Sequence, residues 1–291
     1  MKEFSVVPEE AGQRLDVYVA QNYPQFSRSA LTGLLKQGQV TVNGAAEKAG
    51  YKLRPGDSIL VNQALLSAEP AEIELPVIYQ DDDVVVINKP AGILTHSKGA
   101  INSEPTVASF IKNKITDDKL QGNRAGIVHR LDRHTSGVII TARTEEALKH
   151  LQKQFSQRRT KKSYIAAVEG VLEPAEAIID APIQRNPKKP RTFRVNVSGK
   201  PAITHYRTLK VFDKGSQTYT LAELKPQTGR THQLRVHMAY IHHPVAGDAV
   251  YGHGGKDMML HARELELTLP GGERKIFKAP PPAYLKDFAG I

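Results

Sequence analysis

The 291-residue chain contains no cysteine, which removes disulfides, thiolate metal sites and a cysteine nucleophile together. It has no apolar run near the ~20 residues that a membrane-spanning helix requires. The N-terminal segment MKEFSVVPEEAGQRLD places Glu3, Glu9 and Glu10 where a signal peptide would be apolar. A cytoplasmic protein is therefore expected. Internal repeats and low-complexity tracts are also missing. The only glycine cluster, Gly252 to Asp257, has valine at position 250, Lys256 before an aspartate, and Asp257 where a dinucleotide fingerprint needs its third glycine. No nucleotide cofactor is expected. His232, His237, His242 and His243 lie close together, but a spacing of five turns a helix by about 140° and puts strand side chains on opposite faces. No metal is expected either.

One stretch lacks acid altogether. The formal net charge is +10, and residues 181–212 hold eight basic side chains without a single Asp or Glu. A second basic cluster comprises Lys149, Lys153, Arg158, Arg159, Lys161 and Lys162. Many of these lysines can be read as solvated faces. A 32-residue segment with no compensating acid points instead to a polyanion, where Lys and Arg displace phosphate counterions. Membrane lipid fits less well, because no basic amphipathic helix with a strong apolar face is present.

Residues 1–65 read as a small module. Arg14 to Tyr23 suits a short helix ending before Pro24. Ser27 is placed to cap a second helix with Leu31, Leu34 and Leu35 as its stripe and Gly38 at its end. QVTVNG then alternates like a strand into an Asn43-Gly44 turn, and a further strand spans Ser58 to Val61. Arg28, Lys36, Lys48 and Lys52 can gather on one side. Residues 66–75 read as a linker, and residues 76–291 as a larger domain with strands at Val84–Asn88, Val138–Ala142, Tyr164–Glu169, His205–Phe212 and Tyr219–Lys225. One helix is clear there, capped by Thr144 with Glu145 and Glu146 at its dipole end. Strands outnumber helices and do not alternate with them. That favours an α+β domain with a mixed, largely antiparallel sheet.

The most informative segment is GIVHRLDRHTSG, Gly126 to Gly137, in which Asp132 lies between Arg130 and Arg133. An acid beside guanidiniums is held ionised and can serve as nucleophile or proton acceptor. A capped turn built by Asp132 and Thr135 is the plainer reading. TGRTHQLRVHMAY, Thr228 to Tyr240, is dense in groups that contact phosphate or carboxylate, including Arg230, His232 and Gln233. As a helix it buries Leu234, Met238 and Ile241. Arg235 then stands at the border of that face, either paired with a buried acid such as Asp132 or reaching a phosphate. Tyr164 is either a strand tyrosine with a wet hydroxyl or a ring on which a nucleobase stacks.

In order, these segments resemble one family, the RluA-type pseudouridine synthases. The match is carried by Lys89-Pro90-Ala91-Gly92 with His96, by GIVHRLDRHTSG, and by Lys162-Ser163-Tyr164. Thr228-Gly229-Arg230 through His237, His243-Pro244 with Gly247-Asp248 and Tyr251-Gly252, and Leu260-His261-Ala262 complete it. Residues 1–65 resemble the RNA-binding domain named after ribosomal protein S-four, through Arg14-Leu15-Asp16, Ser27-Arg28, Gly38 to Gly44 and Arg54-Pro55-Gly56-Asp57. The resemblance implies an isomerase that converts uridine to pseudouridine without a cofactor. Asp132 would be the catalytic aspartate, Arg235 its salt-bridge partner and Tyr164 the ring under the base. Leu260 would line the pocket, and Arg130 would fill the space left by the flipped nucleotide. Arg133, Lys162, Arg230, His232 and Gln233 are further candidates for substrate binding, as are Arg14, Arg28, Lys36 and Lys52 for RNA binding by the module. The expected partner is RNA, large-subunit ribosomal RNA ahead of transfer RNA, bound by a monomer. Two rival readings remain: a non-catalytic RNA-binding or ribosome-assembly protein, and an N-glycosidase that releases the base.

Overall fold

The computed structural model describes residues 1–24, 26–66, 70–97, 104–122 and 124–291. Its contacts divide into two compact units. The first holds residues 1–73 together with 96–109 and 122–124, and the second holds the rest. The first unit thus extends past position 65 and takes in later segments that the sequence had assigned to the larger domain.

In the first unit, strands β1 (Lys2–Ser5), β2 (Val40–Val42), β3 (Ala45–Ala46) and β4 (Ser58–Val61) form an antiparallel sheet in the order β1-β4-β2-β3. Helices α1 (Leu15–Asn22) and α2 (Arg28–Lys36) precede β2, and a short α3 (Gln63–Leu66) opens the expected linker. The Ser27 hydroxyl accepts from the Ala30 amide and caps α2 as its sequence suggested. Leu15, Leu31, Leu34, Val40, Ile59 and Val61 meet in one core.

The second unit is built on a nine-stranded sheet. Its strands are β5 (Val77–Gln80), β6 (Val84–Lys89), β7 (Ser136–Ala142), β8 (Lys161–Glu169), β9 (Glu176–Asp180), β12 (Ile203–Lys214), β13 (Gln217–Pro226), β14 (Leu260–Thr268) and β15 (Arg274–Lys278). They run in the order β5-β6-β7-β14-β8-β13-β12-β9, with β15 on β14. Among the described residues only the short β7–β14 pairing is parallel. A separate hairpin, β10 (Ile183–Arg185) with β11 (Phe193–Val195), lies within the acid-free segment. Helix α4 (Val107–Lys112) has its first three residues in the first unit and its last three in the second, and the second unit also holds α5 (Glu145–Ser156), α6 (Gln233–Tyr240) and α7 (Ala283–Ala289).

Central strands read as unbroken apolar runs because both faces are covered. Val84 to Ile87 are fully buried, and every residue of β7 is buried. The Thr144 hydroxyl caps α5 by accepting from the Ala147 amide at 3.2 Å. In α6, residues 233 to 238 are all buried, so this helix runs through the interior. Leu234 and Met238 join a core with Ala166, Leu224 and Leu260. The sheet, α6 and the loop before β7 thereby converge on one place.

Candidate active site

Asp132 sits on the loop that leads into β7. Glycines close the loop at both ends. Gly126 has φ +68° and Gly137 φ +117°, a region that favours glycine. A Cβ on Gly137 would also strike the backbone of Ala262 on β14. The loop is held from beneath by the segment after β6. Thr95 Oγ1 donates to the Leu131 carbonyl at 2.9 Å and accepts from its amide at 3.2 Å. The Gly92 amide donates to the Arg133 carbonyl at 2.8 Å. Lys89 is fully buried, and its ammonium donates to the carbonyls of Pro90, Ile93 and Arg133. Burial pushes this lysine down to about 7, opposed by the field of Asp132 and helped by the Arg133 charge. On the far side, His129 Nε2 accepts from the Ile140 amide and its ring stacks on Phe155, 4.5 Å between centroids. Burial and the nearby Lys162 charge push His129 down to about 3, so it is a neutral acceptor.

The guanidinium on Asp132 comes from α6, not from its sequence neighbours. Arg235 Nη1 donates to Asp132 Oδ2 at 3.3 Å, and the Asp132 side chain is 17% exposed. Arg235 also grips Asp248 through two hydrogen bonds, Nε to Oδ2 at 2.6 Å and Nη2 to Oδ1 at 2.8 Å. Asp248 is itself buried and accepts from the amides of Val250 and Tyr251. Burial works against charge on Arg235, but Asp248 and then Asp132 hold the guanidinium above its ordinary range. Burial likewise works against Asp248, and Arg235 wins, lowering its carboxyl. The guanidinium lies over the Tyr251 ring, 5.1 Å from the centroid. Asp248 is the site residue that sequence reasoning missed as a participant. Its signal was the Gly247-Asp248 pair, which was read only as part of a motif.

His232 begins α6 in the left-handed region, φ 57°. Its Nε2 is 3.9 Å from Asp132 Oδ1, and its Nδ1 is 2.8 Å from the Tyr251 hydroxyl. Burial lowers its pKa, against the pull of Asp132, so the imidazole is neutral near pH 7. The Tyr251 hydroxyl accepts from the Phe193 amide at 2.9 Å, tying the β10–β11 hairpin to the same spot.

These groups wall a cavity of about 440 Å³, within the ~300–1,000 Å³ typical of small-molecule sites. Asp132, Tyr164, Arg130, Lys162, Arg230, His232, Gln233, Arg235 and Leu260 all line it. Burial, then the Asp132 charge, raises the Tyr164 hydroxyl far above its usual range, so it stays protonated. Arg130 is exposed at the mouth. Gln233 has all four hydrogen-bonding positions engaged: its oxygen accepts from Thr228 and the Arg230 amide, and its nitrogen donates to the Ile203 carbonyl and Thr204. Arg133 is absent from the lining; its Nη1 donates to the Gly92 carbonyl at 3.2 Å. His237 bonds Thr204 and the Ala181 carbonyl instead of facing His232. Among the described residues no group of His, Asp and Glu is placed to hold a metal ion.

The sequence profile of the RNA pseudouridylate synthase family matches residues 83–240, and that of the S4 domain matches residues 13–59. The chain belongs to the RNA pseudouridine synthases. An uncharacterized RNA pseudouridine synthase of Aquifex aeolicus is 40% identical, covering 86% of this chain and 79% of the relative. Ribosomal large subunit pseudouridine synthase D of Nitrosomonas europaea is 39% identical over 96% of this chain and 84% of its own. The fold of human RNA Pseudouridylate Synthase Domain Containing 1 superimposes with a TM-score of 0.62 at 28% identity, over 76% of this chain and 89% of that one. As a pseudouridine synthase the protein is an isomerase acting on RNA, and its α+β sheet with an N-terminal S4 domain is the architecture expected from its sequence.

In the S4 domain the expected RNA-facing cations divide. Arg14 and Arg28 both donate to the buried Asp16, whereas Lys36 and Lys52 are exposed. Arg28 and Lys36 share a shallow groove with Asp16, Ser29 and Thr32. No helix among the described residues is long and apolar enough to cross a membrane.

Proposed function

We propose that this synthase isomerises specific uridines of large-subunit ribosomal RNA, with Asp132 as its catalytic carboxylate, acting as a cytoplasmic monomer. One observation carries the assignment: the Asp132 carboxylate faces a nucleoside-sized cavity while a guanidinium fixed by a second, buried carboxylate holds its other side. The reaction breaks the N1–C1′ bond of uridine and makes a C5–C1′ bond between the same two pieces, with no redox change. The target nucleotide must leave its stack, at a cost of a few kcal/mol. Exposed cations offset that cost by gripping phosphates: Arg130 and Arg158 at the cavity, and Arg185, Lys188, Lys189, Arg191 and Arg194 on the β10–β11 hairpin. Tyr164, protonated and half-buried, stacks on the extruded base, and Leu260 closes the wall beside it. Arg130 takes the place of the flipped nucleotide. Gln233 and Arg133 support the walls and the loop through the bonds described above. His232 is the neutral neighbour that limits how Asp132 turns.

A protein that only binds RNA has no use for an acid among these cations, where it weakens phosphate binding. Large-subunit RNA is favoured over transfer RNA because several relatives carry the name ribosomal large subunit pseudouridine synthase D. Mapping pseudouridines in RNA from cells with and without the gene tests the proposal. It predicts loss at defined large-subunit sites. Loss confined to transfer RNA would move the substrate, RNA of unchanged length but lower mass by one base would indicate a glycosidase, and an unchanged map would contradict the assignment.

A further inference from the structure

The assignments above leave one ionisable group inside the cavity without a task. Lys162 precedes Tyr164 by two positions on β8, so both side chains leave the same face of the strand, and both line the cavity. Its ammonium donates to the Thr228 carbonyl at 3.3 Å, and no carboxylate among the described residues pairs with it. The other cations there differ. Arg130 and Arg158 are exposed at the mouth, Arg230 donates to the Pro201 carbonyl, and Arg235 is taken by its two aspartates. Lys162 is half-buried, and burial pushes it down to about 8. It remains charged near pH 7 in a place where an unpaired charge is costly. Such a group is suited to a negative charge that exists only briefly.

Resting on the isomerase reading, we propose that Lys162 Nζ binds the carbonyl edge of the extruded uracil and holds the negative charge of the base while it is detached. When N1–C1′ breaks, its electron pair stays with the base and spreads over N1 and O2. Afterwards C5 bonds C1′, the C5 proton leaves and N1 gains a proton, so no atom is gained or lost. The base turns about the axis through N3 and C6. That turn exchanges N1 with C5 and C2 with C4, so O4 arrives where O2 had been. A single fixed cation therefore meets a carbonyl oxygen before and after the turn. The strand order fits this. On β14, Leu260 lies opposite Ala166 and Ala262 opposite Tyr164, so a ring stacked on Tyr164 has hydrocarbon at one end and Lys162 at the other.

The test is single-turnover pseudouridine formation by the full chain at saturating large-subunit RNA transcript, with RNA affinity measured separately. Lys162→Met should slow the reaction about 10- to 100-fold, the range for a charge-assisted hydrogen bond, and leave affinity within about threefold. Lys162→Arg should restore most of the rate. Transcripts carrying 4-thiouridine, whose sulfur is a poor acceptor, should slow the wild type and add little to Lys162→Met. If thermal melting shows that the Met variant is unfolded, Lys162→Gln takes its place. A wild-type rate in the charge-free variant overturns the proposal. So does a loss confined to affinity and its salt dependence, which marks a phosphate contact, or equal sulfur effects in both proteins. A wild type that makes no pseudouridine on this transcript refutes the large-subunit substrate reading instead.

Discussion

In the S4 domain one carboxylate, Asp16, takes hydrogen bonds from two arginines; in the catalytic domain one guanidinium, Arg235, is shared by two carboxylates. The partners are chemically alike, but their surroundings differ. Arg14 and Arg28 are about half exposed, at 46% and 52%, so water competes for them and the pair is worth little. Arg235 and Asp248 are nearly dry, at 7% and 0%, where neither charge can be left alone. Asp132 lies between these extremes. It is close enough to Arg235 to be fixed, yet open to the cavity. A charge cluster thus holds a helix entry in one region and fixes a reactive group in the other, and solvent access decides which.

Removing the dry carboxylate should break the contrast most severely. Asp248→Asn leaves Arg235 buried with only its weaker partner, at a cost of about 3–5 kcal/mol. Chemical denaturation should show that loss together with a fall in activity; a change below ~1 kcal/mol would mean that Asp248 is no anchor. Tyr251→Phe comes next. It deletes the hydroxyl shared by His232 and the Phe193 amide, and should slow single-turnover chemistry about 2- to 10-fold, in line with one hydrogen bond. Unchanged rates would detach the hairpin from the site. Asp16→Asn should have the smallest effect, about 0–1 kcal/mol at neutral pH. The Arg14 hydrogen bond, then Arg28, pulls Asp16 from 3.8 to about 2, against its burial. A depressed carboxylate stabilises the fold above its unfolded value and loses that contribution as pH falls through its folded value. The difference between wild type and variant should accordingly close as pH drops from about 4 toward 2 in a denaturation series; a gap independent of pH would remove the ion pair from the account.

Elements with one dominant local signal were legible in the sequence. The run Val84 to Ile87 announced a buried strand, and Thr144 with two glutamates announced α5. Strand β14, which brings Leu260 to the cavity, was read only at its first residues. In LHARELELT the charges of Arg263, Glu264 and Glu266 mask the alternation that buries Leu265 and Leu267. The β10–β11 hairpin was read as charge because its strands are three residues each. At the site, helix geometry put Arg235 at the border of a buried face but left a buried acid and a phosphate both open; the family resemblance named Asp132 as its partner. The flanking arginines, the first neighbours named for Asp132, are not its ion-pair partner among the described residues. The loop sends Arg130 to solvent and an Arg133 nitrogen to Gly92. Asp248 could not be ranked in advance, because a turn aspartate gains its role only when the fold brings α6 against it.

The most direct measurement is single-turnover conversion of the target uridine by Asp132→Asn, with RNA affinity measured beside it. The substitution keeps the shape of the side chain and removes its charge. Pseudouridine formation should disappear while the RNA is held as tightly as before. Product at the wild-type rate would show that the carboxylate on Arg235 is not the one that does the chemistry.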